Sequence, residues 1–299
     1  MRRTTLLGLL ILAGALPMVK AQPPAANDPK VIAVEKVRDN LWVLRGGGGN
    51  TAAFVTADGV TVVDAKNPGW GKPILDKIKE LTPKPITTLI NTHTHGDHVS
   101  GNVEFPATVE VIAQENTKAN MEKMKIFTDN NGAGMAKKTF KDKLTLGSGA
   151  DQIDLYYFGR GHTNGDAWVV FKALRIVHAG DIFAGKQVPL IDEANGGSML
   201  EMPATLMNAY NGLKDVDMVI NGHAPAQTAI SDLKEYAEFN KDLVAWMQEQ
   251  LKAGKTPEQA AAEWKLPEKY KGYNPTVGAL FGGLAGRIQT LANEIKKSS

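Results

Sequence analysis

Cysteine is absent from all 299 residues. Its absence rules out a disulfide framework and a lipobox cysteine through which the chain could be lipid-anchored, although a chain this long can build a core without either. An excess of one charge is also missing, with 34 Lys and Arg against 32 Asp and Glu. Such a balance, without clustering, excludes a nucleic-acid surface. Lys123-Met124-Lys125 and Lys137-Lys138 are the small basic groups, and they read as a solvated helix face. Long apolar runs are scarce too. The one at Leu6–Leu16 is too short for a bilayer span of about 20 residues. With Arg2-Arg3 before it and Val19-Lys20-Ala21 after it, the run reads as an export signal cleaved after Ala21. Its loss would leave 31 basic against 32 acidic side chains, a net charge of about −1. The expectation is a periplasmic or secreted protein with no stable membrane anchor, no nucleic-acid partner and a small-molecule substrate. Its oligomeric state is left open.

Residues 22–30 read as a flexible lead-in, and residues 31–299 as one domain that ends in a helical segment over 231–297. Strand-like runs occur at Val31–Val37, Leu41–Arg45, Thr51–Thr56 and Val60–Val63, with Asp58-Gly59 as a hairpin turn. Gly46–Asn50 reads as a mobile hairpin tip. Helical spacing over Pro73–Leu81 precedes a strand at Ile86–Ile90. Val103–Ala113 reads as a strand, Glu115–Phe127 as a helix and Thr128–Lys143 as a loop or lid. Further strands fall at Ile153–Phe158, Ala167–Phe171, Arg175–His178 and Asp217–Ile220, with a helix at Pro203–Leu213. From Ser231 the pattern is helical, with a capping box at Thr256–Gln259 and a last helix over Val277–Lys296. Two batches of strands, each closed by helices, predict two sheets with helices outside them.

The densest chemical signal is Asn91-Thr92-His93-Thr94-His95-Gly96-Asp97-His98, directly after the Ile86–Ile90 strand. It holds three of the six histidines in the chain. An extended segment presents His93 and His95 on one side, and a turn eased by Gly96 swings Asp97 and His98 towards a second position. One short segment can therefore feed two adjacent metals. Gly161-His162-Thr163, Gly180-Asp181 and Gly222-His223 each place a further ligand-capable side chain beside glycine at a strand end.

In that order these motifs resemble the metallo-β-lactamase superfamily, across the chain from Val31 to about Ala224. The resemblance implies a four-layer αββα sandwich with metals in a groove at one edge of the sheets, here with additional C-terminal helices. It implies that His93, His95 and His162 bind one metal, that Asp97, His98 and His223 bind a second, and that Asp181 bridges them. Such donors suit two Zn2+ per chain, with Fe or Mn as alternatives. A zinc-bound water with a pKa of roughly 7 would attack a carbonyl, and Asp97 would orient it or pass its proton to the leaving group. Asp64 resembles the family's buried acid, which holds a histidine tautomer from behind. His178 matches no family ligand and reads as packing or as support behind a ligand, not as a ligand itself.

Without cysteine, the β-lactamase subclasses that use a thiolate ligand are excluded. The remaining subclass resembles the chain in its first motif but carries serine where Asp181 stands. Asp181 instead resembles glyoxalase II-like thioesterases, lactonases and other exported hydrolases, so an ester, lactone or thioester is the expected substrate. A β-lactamase is the alternative, and an iron-dependent oxygenase on the same fold is a further one. A glutathione thioester fits an exported protein poorly, and there is no room for the extra domain of the nuclease members. Gly46–Asn50, Thr128–Lys143 and Ala184–Met202 would flank the groove. Tyr156 and Tyr157 read as strand residues.

Overall fold

The computed structural model describes residues 30–274, 276 and 278–298. The expected export signal and nearly all of the lead-in lie outside these residues. Seven strands form the first sheet: β1 (Ala33–Arg38), β2 (Leu41–Arg45), β3 (Thr51–Val55), β4 (Val60–Val63), β5 (Ile86–Ile90), β6 (Glu110–Gln114) and β7 (Lys138–Phe140), paired in that order. The second holds β8 (Lys143–Leu146), β9 (Ile153–Tyr156), β10 (Trp168–Phe171), β11 (Ile176–Gly180), β12 (Met218–Asn221) and β13 (Thr228–Ala229), in the spatial order β13-β12-β11-β10-β9-β8. Pairing is parallel from β4 to β7 and between β11 and β12. The helices are α1 (Gly71–Leu81), α2 (Gly96–Val99), α3 (Glu115–Met121), α4 (Lys125–Thr128), α5 (Met202–Gly212), α6 (Ile230–Lys252), α7 (Pro257–Glu263) and α8 (Gly283–Ser298).

The two-residue period of a strand decides which layer each side chain joins. Val169 and Phe171 of β10 face inward with Ala52 and Phe54 of β3, and Phe54 meets Phe171 at 5.1 Å between ring centres. Their neighbours Trp168 and Val170 face outward onto Leu206 of α5, Leu243 of α6 and Ile288 of α8. On the other side, Ala53, Val62 and Leu89 pack under Ile74 and Ile78 of α1. Three apolar layers thus separate two sheets and two helical faces, which is the αββα sandwich. No described helix is long and apolar enough to cross a membrane.

Several local expectations need correction. The Val103–Ala113 run splits, because Ser100–Glu104 coils into a 3-10 turn and the strand starts only at Glu110. The 115–127 helix breaks into α3 and α4, with Met124 in extended conformation between them. The 128–143 segment is not all loop, since Lys138–Phe140 adds an edge strand to β6. Lys137 and Lys138 therefore sit at a strand and not on a helix face. The last helix begins at Gly283 and not at Val277. Gly282 and Gly283 have φ of +78° and +63°, a left-handed backbone that no α-helix can run through. The capping box at α7 forms as expected, with Thr256 and Gln259 bonding reciprocally.

Candidate metal centre

The carboxyl ends of β4, β5, β11 and β12 meet at one edge of the sandwich, where parallel strands leave a crevice for a ligand. After β5, His95 stays extended (φ −68°, ψ 146°) and α2 follows at once, with His98 N bonded to His95 O at 2.9 Å. That single turn carries Asp97 and His98 to one side of the edge while His93 and His95 remain on the other. The β9–β10 connection brings His162, the end of β11 brings Asp181, and the loop after β12 brings His223. Two sets of side chains result: His93, His95, His162 and Asp181, and beside them Asp97, His98 and His223. Within each set one donor atom per residue lies within 4.8 Å of every other. Asp181 sits between the sets, 3.9 Å from His93 Nε2 and His162 Nε2, 3.2 Å from His98 Nε2 and 3.1 Å from His223 Nε2.

The outer nitrogens of four imidazoles are fixed, which decides what faces inward. His98 Nδ1 lies 2.7 Å from Asp64 Oδ2, so it donates. His162 Nδ1 lies 2.7 Å from the Leu190 carbonyl, which can only accept. His95 Nε2 lies 2.8 Å from Asp192 Oδ2. Thr92 Oγ1 gives its one proton to Asp64 at 2.7 Å and so must accept from His93 Nδ1 at 3.0 Å. Three Nε2 atoms and one Nδ1 are thereby turned to the centre, the outer-partner arrangement that metal-binding histidines show. His95 Nδ1 and His162 Nε2 come within 3.1 Å of each other. Two lone pairs that close need a cation or a proton between them.

Two atoms make the same case more directly. His93 Nε2 and Asp181 Oδ1 are buried without a hydrogen-bond partner, and the ionic contact of Oδ1 is His98 Nε2 at 3.2 Å. Leaving such groups unpaired is costly, and a cation at the centre would satisfy both. Electrostatics agree. Burial, then His98 and His162, push His93 well below its usual range, and burial with His95 takes His162 to about 4. Both are neutral donors at pH 7. Burial would also depress His98, but Asp181 and Asp64 overcome it and hold the ring well above its usual value. Against the same opposing burial, Asp181 and Asp97 raise His223 to about 9. Burial would raise Asp181, but His98, His223 and His93 overcome it and hold the carboxyl well below the carboxylate range. In the metal-free protein, protons on His98 and His223 occupy the role of cations, and metal binding would release them.

The surrounding backbone is shaped for close approach. Gly180 has φ +56° and ψ −146°, a conformation nearly confined to glycine. A Cβ on Gly222 would lie 1.9 Å from Asp181 Oδ1, and one on Gly49 would lie 2.1 Å from the His98 ring. The Gly46–Asn50 segment is therefore not a free hairpin tip. Gly49 N bonds to Asp97 O at 3.0 Å and Asn50 N to Gly222 O at 2.7 Å. The Asn50 side chain donates to Asn221 O and Ala224 O, both at 2.8 Å. His178 is buried and spans Asn50 O and Gly180 N, outside both sets, so it packs the floor.

Three residues were not singled out from the sequence. Asp192 clamps His95 while accepting from Asn195 at 2.6 Å, which makes Ala184–Met202 part of the centre as well as a surface loop. Asp166 accepts from Thr163 N at 2.9 Å and Thr163 Oγ1 at 2.6 Å and so braces the turn that carries His162; its three-residue spacing from Thr163 was the available signal. Lys66 is fully buried, with Nζ donating to Leu44 O and Gly49 O at 2.8 Å. Burial, partly opposed by Asp64, lowers its pKa to about 7. Asp64 and Lys66 flank Ala65 with φ of +63° and +66°, local strain of roughly 1–3 kcal/mol per residue of the sort found at functional sites. Tyr156 bonds Asp154 at 3.3 Å and stacks on Phe158, away from the donors.

Comparison with known proteins adds four findings. The sequence profile of the metallo-beta-lactamase superfamily matches residues 44–243. A metallo-beta-lactamase type 2 of Elizabethkingia meningoseptica is 26% identical over 74% of this chain and 88% of its own. A hydroxyacylglutathione hydrolase of Crocosphaera subtropica is 24% identical over 77% of this chain and 81% of its own. Among solved structures, a metallo-beta-lactamase from Pontibacter korlensis superposes with a TM-score of 0.59 at 20% identity, covering 71% of this chain and 99% of its own.

Proposed function

The chain belongs to the metallo-beta-lactamase superfamily of metal-dependent hydrolases, and from that premise we propose that it holds two zinc ions and hydrolyses an ester, lactone or thioester. The observation that carries the reading is the pair of buried, unpartnered atoms, His93 Nε2 and Asp181 Oδ1, inside seven converging donors. In this proposal His93, His95 and His162 hold one ion, Asp97, His98 and His223 hold the other, and Asp181 is shared. Imidazole and carboxylate suit zinc, with iron and manganese as competing ions.

Bound ions supply Lewis acidity for a carbonyl oxygen and bring the pKa of water to about 7. The protein does the remainder. Asp64, Thr92, Asp192 and the Leu190 carbonyl keep four rings turned inward, so little reorganisation is needed when substrate arrives. Asp97, 30% exposed at its side chain and 3.2 Å from His223, stands at the mouth with Oδ2 placed to take a proton and deliver it to a leaving group. The shared Asp181 carboxylate adds negative charge and tempers the Lewis acidity. That favours esters, thioesters and lactones over amides. A relative named as a hydroxyacylglutathione hydrolase is compatible with this choice.

Elemental analysis together with a panel of lactone, ester, thioester, phosphoester and β-lactam substrates tests the reading. Two zincs per chain with turnover of the first three classes is expected. Turnover of β-lactams alone overturns the substrate class, and one iron per chain with oxygen consumption overturns the two-zinc reading. The proposal also places the protein in the periplasm or outside the cell. An exported fraction whose N-terminus reads Gln22 is expected, and an intact leader on a protein confined to the cytoplasm overturns it.

A further inference from the structure

A pocket of about 510 Å³ lies over the donors, lined on one side by His95, Asp97, Asp181 and His223 and on the other by Ala184, Gln187, Leu190 and Leu280. Its size falls within that of small-molecule sites, roughly 300–1,000 Å³. The second wall comes from two distant parts of the chain. Leu190 belongs to the 184–202 loop, and Leu280 to a 3-10 turn just before α8. Among the described residues Leu280 is one of four exposed large apolar side chains, at 69% exposure, and of these only Leu280 lines this pocket.

The wall is tied to the rest of the fold by hydrogen bonds. Arg287 of α8 is buried, and its guanidinium donates to Pro189 O at 3.0 Å and to Leu280 O and Gly283 O at 2.7 Å. One side chain thus pins the backbone beside Leu190 and the backbone of Leu280 together. Further along, Asn274 N bonds Lys186 O at 2.8 Å and draws the same C-terminal segment against the loop. Leu190 in turn offers its carbonyl to His162 Nδ1. The apolar wall and the donor set are therefore parts of one framework. The wall facing the donors, Ala184, Gln187, Leu190 and Leu280, carries no charged side chain among the described residues, so the part of a substrate lying along it would find no ionic partner there.

We propose that Leu280, with Leu190, is a specificity-determining surface that takes the uncharged, apolar acyl or alkyl portion of the substrate. This deepens the hydrolase reading and rests on it for the bond that is cleaved. The C-terminal segment delivers the selecting residue, while the two sheets deliver the donors.

The test uses the full zinc-loaded chain and p-nitrophenyl esters from acetate to octanoate, with wild type, Leu280→Ala, Leu280→Asp and the distant control Leu200→Ala. Wild type is expected to gain in kcat/KM with chain length, at about two- to four-fold per methylene covered. Leu280→Ala should cut the octanoate-to-acetate ratio by about ten-fold, Leu280→Asp should abolish the gain, and Leu200→Ala should keep it. Calorimetry with uncharged methyl ketones of increasing length reads the same dependence without turnover. Chain-length dependence unchanged in both Leu280 variants, or a wild-type preference for chains ending in carboxylate, overturns the inference. Ketone binding that depends on Leu280 without ester cleavage would sink the hydrolytic reading alone. Ester cleavage indifferent to Leu280 would sink this one alone.

Discussion

Replacing Asp64 by Asn exchanges one oxygen for an amide and should empty one half of the centre. Asp64 Oδ1 accepts from Thr92 N at 2.8 Å, and Oδ2 accepts from Thr92 Oγ1 and His98 Nδ1, both at 2.7 Å. An asparagine that keeps the Thr92 N bond must turn its NH2 towards the other two. Thr92 Oγ1 can then become an acceptor, but His98 can accept at Nδ1 only by moving its proton to Nε2. Nε2 is the atom that faces Asp181, His223 and Asp97. Metal affinity at the Asp97–His98–His223 position should therefore fall by about 10–100-fold, the usual effect of losing an outer partner, which is about 1.4–2.7 kcal/mol. The fold should also lose about 1.5–3 kcal/mol, the worth of a hydrogen bond to a charged group. Titration against a chromophoric chelator, with elemental analysis of the dialysed protein, should show two ions reduced to one near neutral pH. Circular dichroism would confirm that the variant is folded. Two ions retained at unchanged affinity would refute the tautomer argument.

Asp97→Ala should fold and keep metal at the His93–His95–His162 position while kcat falls by about 10²–10⁴-fold; a near-normal kcat would remove Asp97 from proton transfer. Gly222→Ala should displace Asp181, because the new Cβ falls 1.9 Å from Oδ1, and cost about 1–3 kcal/mol; urea melts with and without zinc should show the metal-bound form losing more. Lys66→Met should change the pH dependence of stability in chelated protein. Burial holds the folded-state pKa at about 7, below the ordinary lysine value of 10.5. The cost of burying the ammonium is therefore full below pH 7 and fades towards pH 10.5, where a neutral amine still donates to both carbonyls. Relative to Lys66→Met, wild type should gain up to roughly 5 kcal/mol across that interval, and parallel stability curves would refute it.

The sandwich and the meeting of the seven donors were legible because both follow local rules. Strands such as Leu41–Arg45, Val60–Val63 and Ile86–Ile90 have apolar runs ended by turn residues, and four of the donors crowd into His93–His98 while His162, Asp181 and His223 each follow a glycine at a strand end. What was hidden depends on contacts between distant segments. The Gly46–Asn50 run looks mobile until Asn221, Gly222 and Ala224 are brought against Asn50. Asp192 looks like any loop acid until His95 reaches it. Nothing in the sequence near Lys66 signals burial, since the carbonyls that accept its protons come from Leu44 and Gly49. The strands β8 and β13 escaped notice for a related reason: they are edge strands, defined by the neighbour they pair with more than by their own pattern.

Asn50 joins the loop before β3 to the loop after β12, so a residue synthesised early waits for one synthesised late. The donors obey the same schedule, because His93 to His98 exist on the growing chain well before His162, Asp181 and His223. Until those arrive, the early histidines and Asp97 would offer only part of each donor set. Tight, selective loading must therefore follow closure of both sheets. The supply of ions where folding finishes should decide which metal the folded protein carries.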